Sequence, residues 1–353
     1  MTAAALGTTV GEGPFPWHRG LAHTMLAHRS RWPQALLIAG RRGIGKRALA
    51  LHFARALLCE TPTANGEPCG ICAGCHYMAA EAHPDFRLIE PVKVDEEGNV
   101  EAVDWIVVER IRELADFTQL TTHRHRAKVA VIAPAEAMNP PSANALLKTL
   151  EEPQDDTYLM LVSHQPGRLP ATIASRCQRL DVAKPDATTA AEWLAAHGIA
   201  DAARLLARAG GSPLLALELA TAALQRESER WIGELTAPER LSPMSVGARF
   251  DATPKDERKA LLAAAFDLLL SWTADLAVVA SGGSPRFHPE QAAALATLAK
   301  RVARVPLFRY YRSLLEQRAL LAHPLQPRLV AEALLIEYRK LFGAARGLDA
   351  AAR

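Results

Sequence analysis

Short apolar runs alternate with amphipathic segments in the first half of the chain. The run Ala35–Ala39 predicts a buried strand, which is followed at once by a glycine-rich turn and a helical pattern. Two further apolar runs, residues 129–133 and 158–163, predict strands that are separated by helical sequence. Strands that alternate with helices usually form a parallel sheet. We therefore expect an α/β domain with a parallel sheet.

Two helices of this domain can be placed from spacing and from proline. Leu49, Phe53 and Leu57 recur at helical intervals after the glycine-rich turn, so they define one apolar face. Residues 140–142, Pro-Pro-Ser, begin a second helix because proline fits the first turn, and Pro153 lies just beyond its predicted end. Both helices are expected to pack on the sheet.

The second half of the chain has a different pattern. After about Val182 no strand pattern recurs, and Ala- and Leu-rich helical segments are interrupted at residues 210–213 and 281–283. We predict an α/β domain over residues 1–181, a small helical domain over 182–225 and a larger helical domain over 226–353.

Composition and charge exclude some classes of protein. The 353 residues are 49% hydrophobic and only 6% aromatic, which favours a multidomain and largely helical chain. A net charge of +3 gives no polyelectrolyte signal. The first residues lack the pattern of a secretory signal, and Asp267 and Asp275 interrupt the apolar segment 260–280 before it reaches the ~18 residues of a membrane span. We expect a cytoplasmic protein without a membrane span.

The turn after the first strand has the pattern G-x-x-x-x-G-K of a phosphate-binding P-loop. Gly40, Gly43, Gly45 and Lys46 are the residues that would surround a nucleotide phosphate. The next position normally carries the hydroxyl that ligates magnesium, but here it is Arg47, which cannot coordinate a cation. A turn that serves only packing is the alternative. Nucleotide binding by this loop stays doubtful.

A second catalytic element is also absent. In a working P-loop ATPase the second strand ends in an acidic pair that organises magnesium and the attacking water. Here the strand ends in Ala133-Pro134, and Glu136 is displaced by two residues onto the following turn. The two losses are independent and both predict that the chain does not hydrolyse ATP.

Four of the five cysteines are clustered, at Cys59, Cys69, Cys72 and Cys75. Two C-x-x-C steps and an upstream cysteine can place four thiolates around a tetrahedral structural zinc ion in a cytosolic protein. An iron–sulfur cluster is a weaker alternative, since another cysteine would be expected where Ala79 stands, and buried thiols without metal are a third. His76 is expected to face solvent.

A family resemblance rests on two segments, A-N-A-L-L-K-T-L-E-E-P at 143–153 and L-P-A-T-I-A-S-R-C at 169–177, and on the cysteine spacing. Together they resemble bacterial clamp-loader subunits, strongly in the N-terminal half and weakly in the C-terminal half. The resemblance implies an AAA+ ATPase-like domain with a zinc-binding insertion at about 59–83. It also implies that the small helical domain is a lid and that the larger one is a collar that joins subunits into a ring.

The resemblance also assigns roles to single residues. Leu214 stands where the family's lid carries an arginine that senses the γ-phosphate, and the sensor at a strand end falls on Ser163 or His164. Arg176, in Ser-Arg-Cys, matches an arginine finger that reaches the ATP of a neighbouring subunit, whereas Arg179 is a weaker candidate. These features indicate a family member that no longer hydrolyses ATP but assists its neighbour.

The partners that the resemblance implies are the ATP-hydrolysing motor subunits (tau/gamma) and the delta subunit of DNA polymerase III, with the sliding clamp and primer–template DNA reached through the complex. Two other functions stay open. One is a motor subunit that hydrolyses ATP, and the other is a zinc-dependent module that binds nucleic acid. The basic run at residues 123–128 is interpreted as a solvated loop rather than a DNA site.

Overall fold

The fold is described from a computed structural model, which covers residues 13–28, 31–94, 100–124, 126–322 and 326–343. The chain divides into two compact units, one formed by residues 1–196 with 212–215 and the other by residues 197–211 with 216–353. The predicted three-domain division at residues 181 and 225 stays a prediction.

The N-terminal unit is built on a five-stranded sheet with the order β2-β5-β6-β1-β7, in which all neighbouring strands are parallel. A separate antiparallel hairpin consists of β3 and β4. The strands are β1 Ala35–Ala39, β2 Phe86–Ile89, β3 Val92–Val94, β4 Val100–Ala102, β5 Lys128–Ile132, β6 Thr157–Ser163 and β7 Gln178–Asp181. The predicted parallel α/β architecture is confirmed.

Helices cover both faces of this sheet. They are α1 Arg19–Ala27, α2 Lys46–Leu58, α3 Ala73–Ala79, α4 Val108–Gln119, α5 Pro140–Glu151, α6 Ala171–Ala174 and α7 Ala187–Ala196. Because side chains alternate along a strand, Leu36 and Ile38 of β1 join a core with α1 and α2, whereas Leu37 joins the opposite core with α4 and α5. The central strands are therefore buried on both sides.

For the longest apolar elements, the bounds predicted from the sequence agree closely with those in the structure. β1 has the predicted bounds, β5 begins and ends one residue before the predicted strand, and β6 begins one residue earlier than predicted. Helix α5 begins at Pro140 as expected, and the side chain of Asn139 caps it by accepting a hydrogen bond from the amide of Ser142 at 2.9 Å. Strands β2, β3, β4 and β7 were not predicted.

The C-terminal unit is helical throughout the part that is described. The remaining helices of the chain are α8 Ala202–Arg208, α9 Pro213–Leu219, α10 Ala222–Leu235, α11 Pro243–Ala252, α12 Lys255–Ala280, α13 Ala292–Ala299, α14 Arg304–Ala319 and α15 Pro327–Gly343. Helix α12 packs against α10, α13, α14 and α15. In its core, Trp272 donates to the hydroxyl of Tyr338 at 2.9 Å, and that hydroxyl donates to the carbonyl of Leu235 at 2.9 Å. The expected helical character is confirmed.

By length and composition alone, helix α12 is apolar enough over Glu257–Ala280 to cross a membrane, although Asp267 and Asp275 interrupt it. In the structure this helix is the central one of the C-terminal unit, where Leu269, Trp272 and Leu276 are buried. The buried Asp275 accepts hydrogen bonds from the backbone amides of residues 286–288. Packing within this unit accounts for the apolar composition of α12.

Candidate functional site

The P-loop lies between β1 and α2, as the sequence predicts. Gly43 and Gly45 adopt φ values of 78° and 90°, which glycine reaches without steric cost. At Gly45 an added Cβ would lie 2.3 Å from the ring of Phe15, so the backbone here is covered by another part of the same chain. The loop therefore has the fold of a phosphate cradle, but a phenylalanine ring lies against it.

The side chain of Lys46 is buried and bonded within its own loop. Its ammonium group donates to the carbonyl oxygens of Gly40 at 2.8 Å and Arg41 at 2.6 Å, and to Nδ1 of His164 at 2.9 Å. Burial lowers the pKa of Lys46 to about 8, while the nearby carboxylate of Glu136 opposes that shift. The lysine that would hold a phosphate has all three of its donors engaged.

An aromatic cluster covers the outside of the loop. The rings of Phe15 and Trp17 stack with centroids 4.9 Å apart, and Trp193 of α7 meets both edge-on at 5.5 Å. The indole of Trp17 donates to the carbonyl of Ile44 at 2.9 Å. His18, which follows this cluster, is fully buried, and burial lowers its pKa to about 4. The cluster ties the start of the described chain to the P-loop.

The positions that would organise magnesium and water are used for other bonds. Arg47 forms a two-point ion pair with Glu90 at the end of β2, with N–O distances of 2.7 and 2.9 Å. Glu136 accepts hydrogen bonds from the backbone amides of His164 at 2.9 Å and Gln165 at 3.2 Å. The predicted displacement of Glu136 is confirmed, since it lies in a short 3₁₀ helix after Pro134.

The two possible sensor positions differ in the structure. Ser163 is buried and its hydroxyl accepts from the amide of Gln165 at 3.2 Å, whereas the ring of His164 lies at the P-loop against Lys46. Burial lowers the pKa of His164 to about 4, so its ring is neutral at physiological pH. Further along the chain, the amide of Leu214 donates to the carbonyl of Gly43 at 3.0 Å. A hydrophobic residue thus stands at the position where the family resemblance implies a phosphate-sensing arginine.

The four clustered cysteines come together in space. The sulfur atoms of Cys59, Cys69, Cys72 and Cys75 all lie within 4.8 Å of one another. Among them, the sulfurs of Cys59 and Cys72 are 3.8 Å apart and those of Cys69 and Cys75 are 4.0 Å apart. Four sulfurs that are each about 2.3 Å from a tetrahedral zinc ion would be about 3.8 Å apart. The donor set and its dimensions fit a closed tetrahedral metal site.

The local electrostatics also fit a cation among these sulfurs. The hydroxyl of Thr61 donates to Sγ of Cys69 at 3.2 Å and lowers the pKa of that thiol to about 6. Burial raises the pKa of Cys75 to about 12, so this sulfur is a thiol at neutral pH unless a cation binds it. His76 is exposed, as expected, and Cys177 lies elsewhere, half-buried against the sheet.

The cysteine module is anchored to the α/β unit by several contacts. Gly66 approaches α1 so closely that an added Cβ would lie 2.5 Å from the carbonyl oxygen of Leu26. The imidazole of His52 on α2 pairs with Glu67 at 2.8 Å, and the guanidinium of Arg124 pairs with Glu60. These contacts, at Glu60 and at residues 66–67, attach the cysteine module to the α/β unit.

The basic run 123–128 has a structural role in its described residues, and His125 lies outside them. The buried carboxylate of Asp85 accepts from the backbone amides of His123 at 2.8 Å and Arg124 at 3.0 Å. Lys128 is also buried, with its ammonium 4.2 Å from the centroid of the Phe117 ring. The prediction of a solvated loop is therefore only partly correct, because Lys128, the last residue of the run, is the first residue of β5.

Arg176 lies on the surface two residues after the end of helix α6. Its Nη1 donates to the carbonyl of Thr172 at 2.9 Å, and its Nη2 pairs with Oε1 of Glu151 at 2.6 Å. The side chain remains 36% exposed. Arg179, the weaker candidate, is bound to Asp181 within β7. The Arg176 guanidinium is therefore accessible, and its role in trans stays a prediction.

Comparison with known proteins finds relatives in DNA replication. The family model described as "DNA polymerase III, delta subunit" matches residues 22–186. The chain is 44% identical over 209 residues to DNA polymerase III subunit delta' of Pseudomonas aeruginosa, an alignment that covers 58% of this chain and 61% of that protein. It is also 36% identical over 143 residues to subunit tau of Escherichia coli, covering 40% and 20% of the two chains.

A solved gamma-subunit-related protein from Thermotoga maritima overlays with a TM-score of 0.45 and 19% identity, covering 91% of this chain and 99% of that one. Sequence similarity to the curated relatives is confined to part of each chain, since the matched region spans about three fifths of the Pseudomonas protein (61%).

Proposed function

We propose that this chain is the non-hydrolysing delta-prime subunit of a bacterial clamp loader. The proposal is supported by the match of residues 22–186 to the family model of the DNA polymerase III delta subunit and by the 44% identity over 209 residues to a delta' subunit. In this role it helps to load the sliding clamp onto primed DNA. It binds the motor subunits (tau/gamma) and the delta subunit in the cytoplasm, and it reaches the clamp and primer–template DNA through the complex. The α/β unit is an AAA+ domain, and we assign the collar to residues 226–353.

The observation that carries this proposal is the state of the P-loop. The ammonium group of Lys46 is bound to carbonyls of its own loop and Arg47 is bound to Glu90. Magnesium-dependent hydrolysis needs a lysine on the phosphates and a hydroxyl on the metal. Both groups have been diverted or replaced, which supports a subunit that does not hydrolyse ATP and binds it weakly if at all.

Zinc is the metal that best fits the four cysteines. Zinc prefers four-coordinate tetrahedral sites in proteins, and a site filled by four thiolates leaves no position for a substrate or water. The residues that would hold it are Cys59, Cys69, Cys72 and Cys75. We assign the ion a structural role in the module at residues 59–83.

The catalytic group that this chain offers to a neighbour is Arg176. A guanidinium stays charged at physiological pH and can meet two phosphate oxygens at once, so it suits the charge that develops on a transferring phosphoryl group. Arg176 is more than a third exposed and lies on the surface of the AAA+ domain. We propose that it acts as an arginine finger in the ATP site of the adjacent motor subunit.

A motor subunit is the strongest rival, because the similarity to subunit tau is 36% over 143 residues. Arg47, Ala133 and Leu214 weigh against it, since each stands where a motor subunit needs a group for hydrolysis. A separate zinc-dependent nucleic-acid-binding module gives no role to Arg176.

Reconstitution tests the proposed function. A clamp loader should be assembled from purified motor subunits and delta subunit, with and without this chain, and clamp loading onto primed DNA should be measured. We expect this chain to copurify with the complex and its omission to abolish loading. Loading at an unchanged rate without the chain would refute the proposal.

A further inference from the structure

The guanidinium of Arg176 is held from two sides within its own subunit. One bond goes from Nη1 to the carbonyl of Thr172 in α6 at 2.9 Å, and the other joins Nη2 to the carboxylate of Glu151 at 2.6 Å. Glu151 is the last residue of α5, so the two acceptors come from different helices. The side chain is therefore oriented at a junction between α5 and α6.

The backbone at this junction is also fixed. The amide of Arg176 donates to the carbonyl of Ile173 at 3.1 Å, and the side chain of Ile173 is fully buried. Strand β7 begins two residues later, at Gln178, which pairs with Leu36 of β1. With the backbone anchored on both sides, the freedom that remains at Arg176 is mainly that of its long side chain.

The two acceptors leave donors for a ligand. A guanidinium carries five N–H groups, and the bonds to Thr172 and Glu151 use two of them. Three N–H groups are left for phosphate oxygens. The carboxylate of Glu151 is 47% exposed, and an ion pair so open to solvent is weak. Such a pair restricts the rotamers of an arginine without holding it back from a more highly charged phosphate.

We propose that Glu151 is a positioning residue for Arg176, which presets the guanidinium for the ATP of the neighbouring subunit. This inference rests on the proposed function of Arg176 as a finger in trans. Restricting a long side chain before the reaction reduces the ordering that must occur when the transition state forms. Glu151 acts through the arginine and need not touch ATP itself.

The test uses the assembled clamp loader and its clamp- and DNA-stimulated ATP turnover. The finger-dependent turnover is defined as the difference between the wild-type complex and the Arg176→Ala complex. Glu151→Ala should lower the kcat of this finger-dependent turnover about two- to fivefold, the range expected when a weak, exposed ion pair is lost. The KM for ATP should stay unchanged, because the nucleotide is bound by the neighbour.

Two further variants separate positioning from a general effect. Glu151→Gln keeps an acceptor oxygen but not the charge, so it should retain more turnover than Glu151→Ala. Glu152→Ala removes the same charge from the adjacent exposed residue and should behave as wild type. In the double variant Glu151→Ala/Arg176→Ala, turnover should equal that of Arg176→Ala alone, because Glu151 has no finger left to position.

The outcomes distinguish this inference from the proposed function. If Arg176→Ala turns over ATP at the wild-type rate, the finger itself is misassigned and Glu151 has nothing to position. If Arg176→Ala is impaired but Glu151→Ala is not, or is faster, only the positioning role is refuted. An equal loss in Glu152→Ala would also refute it. The amount of complex formed by each variant is measured in the same experiment, so a folding defect is recognised directly.

Discussion

At the scale of single residues, Lys46 is the best indicator of what the nucleotide site can do. A P-loop lysine normally meets phosphate oxygens, whereas here its ammonium group has three partners, the carbonyls of Gly40 and Arg41 and the ring of His164. A nucleotide would have to replace these bonds and move Phe15 from Gly45. The energetic cost of both changes opposes binding before any chemistry begins.

We therefore predict that the purified chain hydrolyses ATP no faster than its Lys46→Ala variant. The ammonium group of Lys46 is bound within its own loop, and Arg47 replaces the residue whose hydroxyl would ligate magnesium. Removing the ammonium group should therefore not lower the rate of hydrolysis. Phosphate release over hours with magnesium and excess ATP measures this. A clear difference in rate between the two proteins would contradict the prediction.

Arg47→Thr is the matched control for this experiment. It restores a hydroxyl at the magnesium position and breaks the ion pair with Glu90. Hydrolysis should still be absent, because Ala133, Pro134 and Leu214 continue to lack a carboxylate and an arginine. Activity regained by this single change would contradict the prediction, because it would show that the groups missing at Ala133, Pro134 and Leu214 are not needed for hydrolysis.

The sequence alone revealed some of these residues and not others. Arg47 and Ala133 could be identified because each occupies a fixed place in a short motif. Phe15 and His18 could not, because their positions beside the P-loop depend on how distant segments pack. For His164 the sequence left the choice with Ser163 open, and only the structure places the His164 ring against Lys46. The ion pair of Arg176 with Glu151 was equally hidden, since 25 positions of sequence and several elements separate the two residues.

At the scale of elements, the cysteine module tests the metal assignment. We predict about one zinc ion per chain, and we expect Cys72→Ser to lose it. Loss of a structural zinc removes on the order of 10 kcal/mol of binding free energy from its module. Hydrogen exchange should therefore increase across residues 59–83 while β1, β5 and β6 stay protected.

The His76→Ala variant is the control, and its zinc content and hydrogen exchange are measured in the same way. His76 belongs to the same module but is exposed and is not among the four clustered ligands. It should keep its zinc. Full metal content in Cys72→Ser, or an unchanged melting temperature after zinc is removed from the wild type, would contradict the structural role.

The elements differ in how far the sequence could predict them. β1 was predictable because it is a run of five apolar residues. Helix α5 was predictable because it begins with proline after an asparagine cap, which is a strong local signal. β7 has the sequence Gln-Arg-Leu-Asp and lies at the edge of the sheet. An edge strand has a neighbouring strand on one side only, so fewer of its side chains need to be apolar. Its hydrophobic pattern is therefore weak. β2 is only four residues long and contains an exposed arginine.

At the scale of the whole molecule, buried histidines make stability depend on pH. Burial lowers the pKa of His18 and His164 in the N-terminal unit, and of His288 in the C-terminal unit, to about 4 from 6.5. Between these values the unfolded chain binds more protons than the folded one, so stability falls as pH drops from about 6.5 to 4. Full stability is expected above pH 6.5.

Urea unfolding at pH 7 and pH 5 measures this dependence, with hydrogen exchange of the amides of helix α12 reporting on the C-terminal unit, in which Trp272 of that helix lies 5.5 Å from the ring of His288. We expect a loss of about 1–2 kcal/mol per buried histidine over this interval. His288→Gln can still bond to the hydroxyl of Ser271 but does not titrate, so the C-terminal unit of this variant should lose less. Equal losses in both proteins would exclude His288 as a cause.

We propose that this chain contributes to ATP hydrolysis only through Arg176, in a site that belongs to another subunit. The most direct test is an assembled clamp loader that carries Arg176→Ala. Removing an exposed side chain away from the core usually changes stability by about half a kcal/mol or less, so the complex should form normally. Arg176→Lys should restore little, since an ammonium group lacks the planar two-point geometry of a guanidinium.

ATP turnover and clamp loading should be measured together, in the presence of clamp and primed DNA. Loss of an arginine finger reduces turnover at its site by about 10³ to 10⁵, so we predict that ATP turnover by the neighbouring motor subunit falls and clamp loading falls with it. Wild-type rates of both from a fully assembled Arg176→Ala complex would contradict the account.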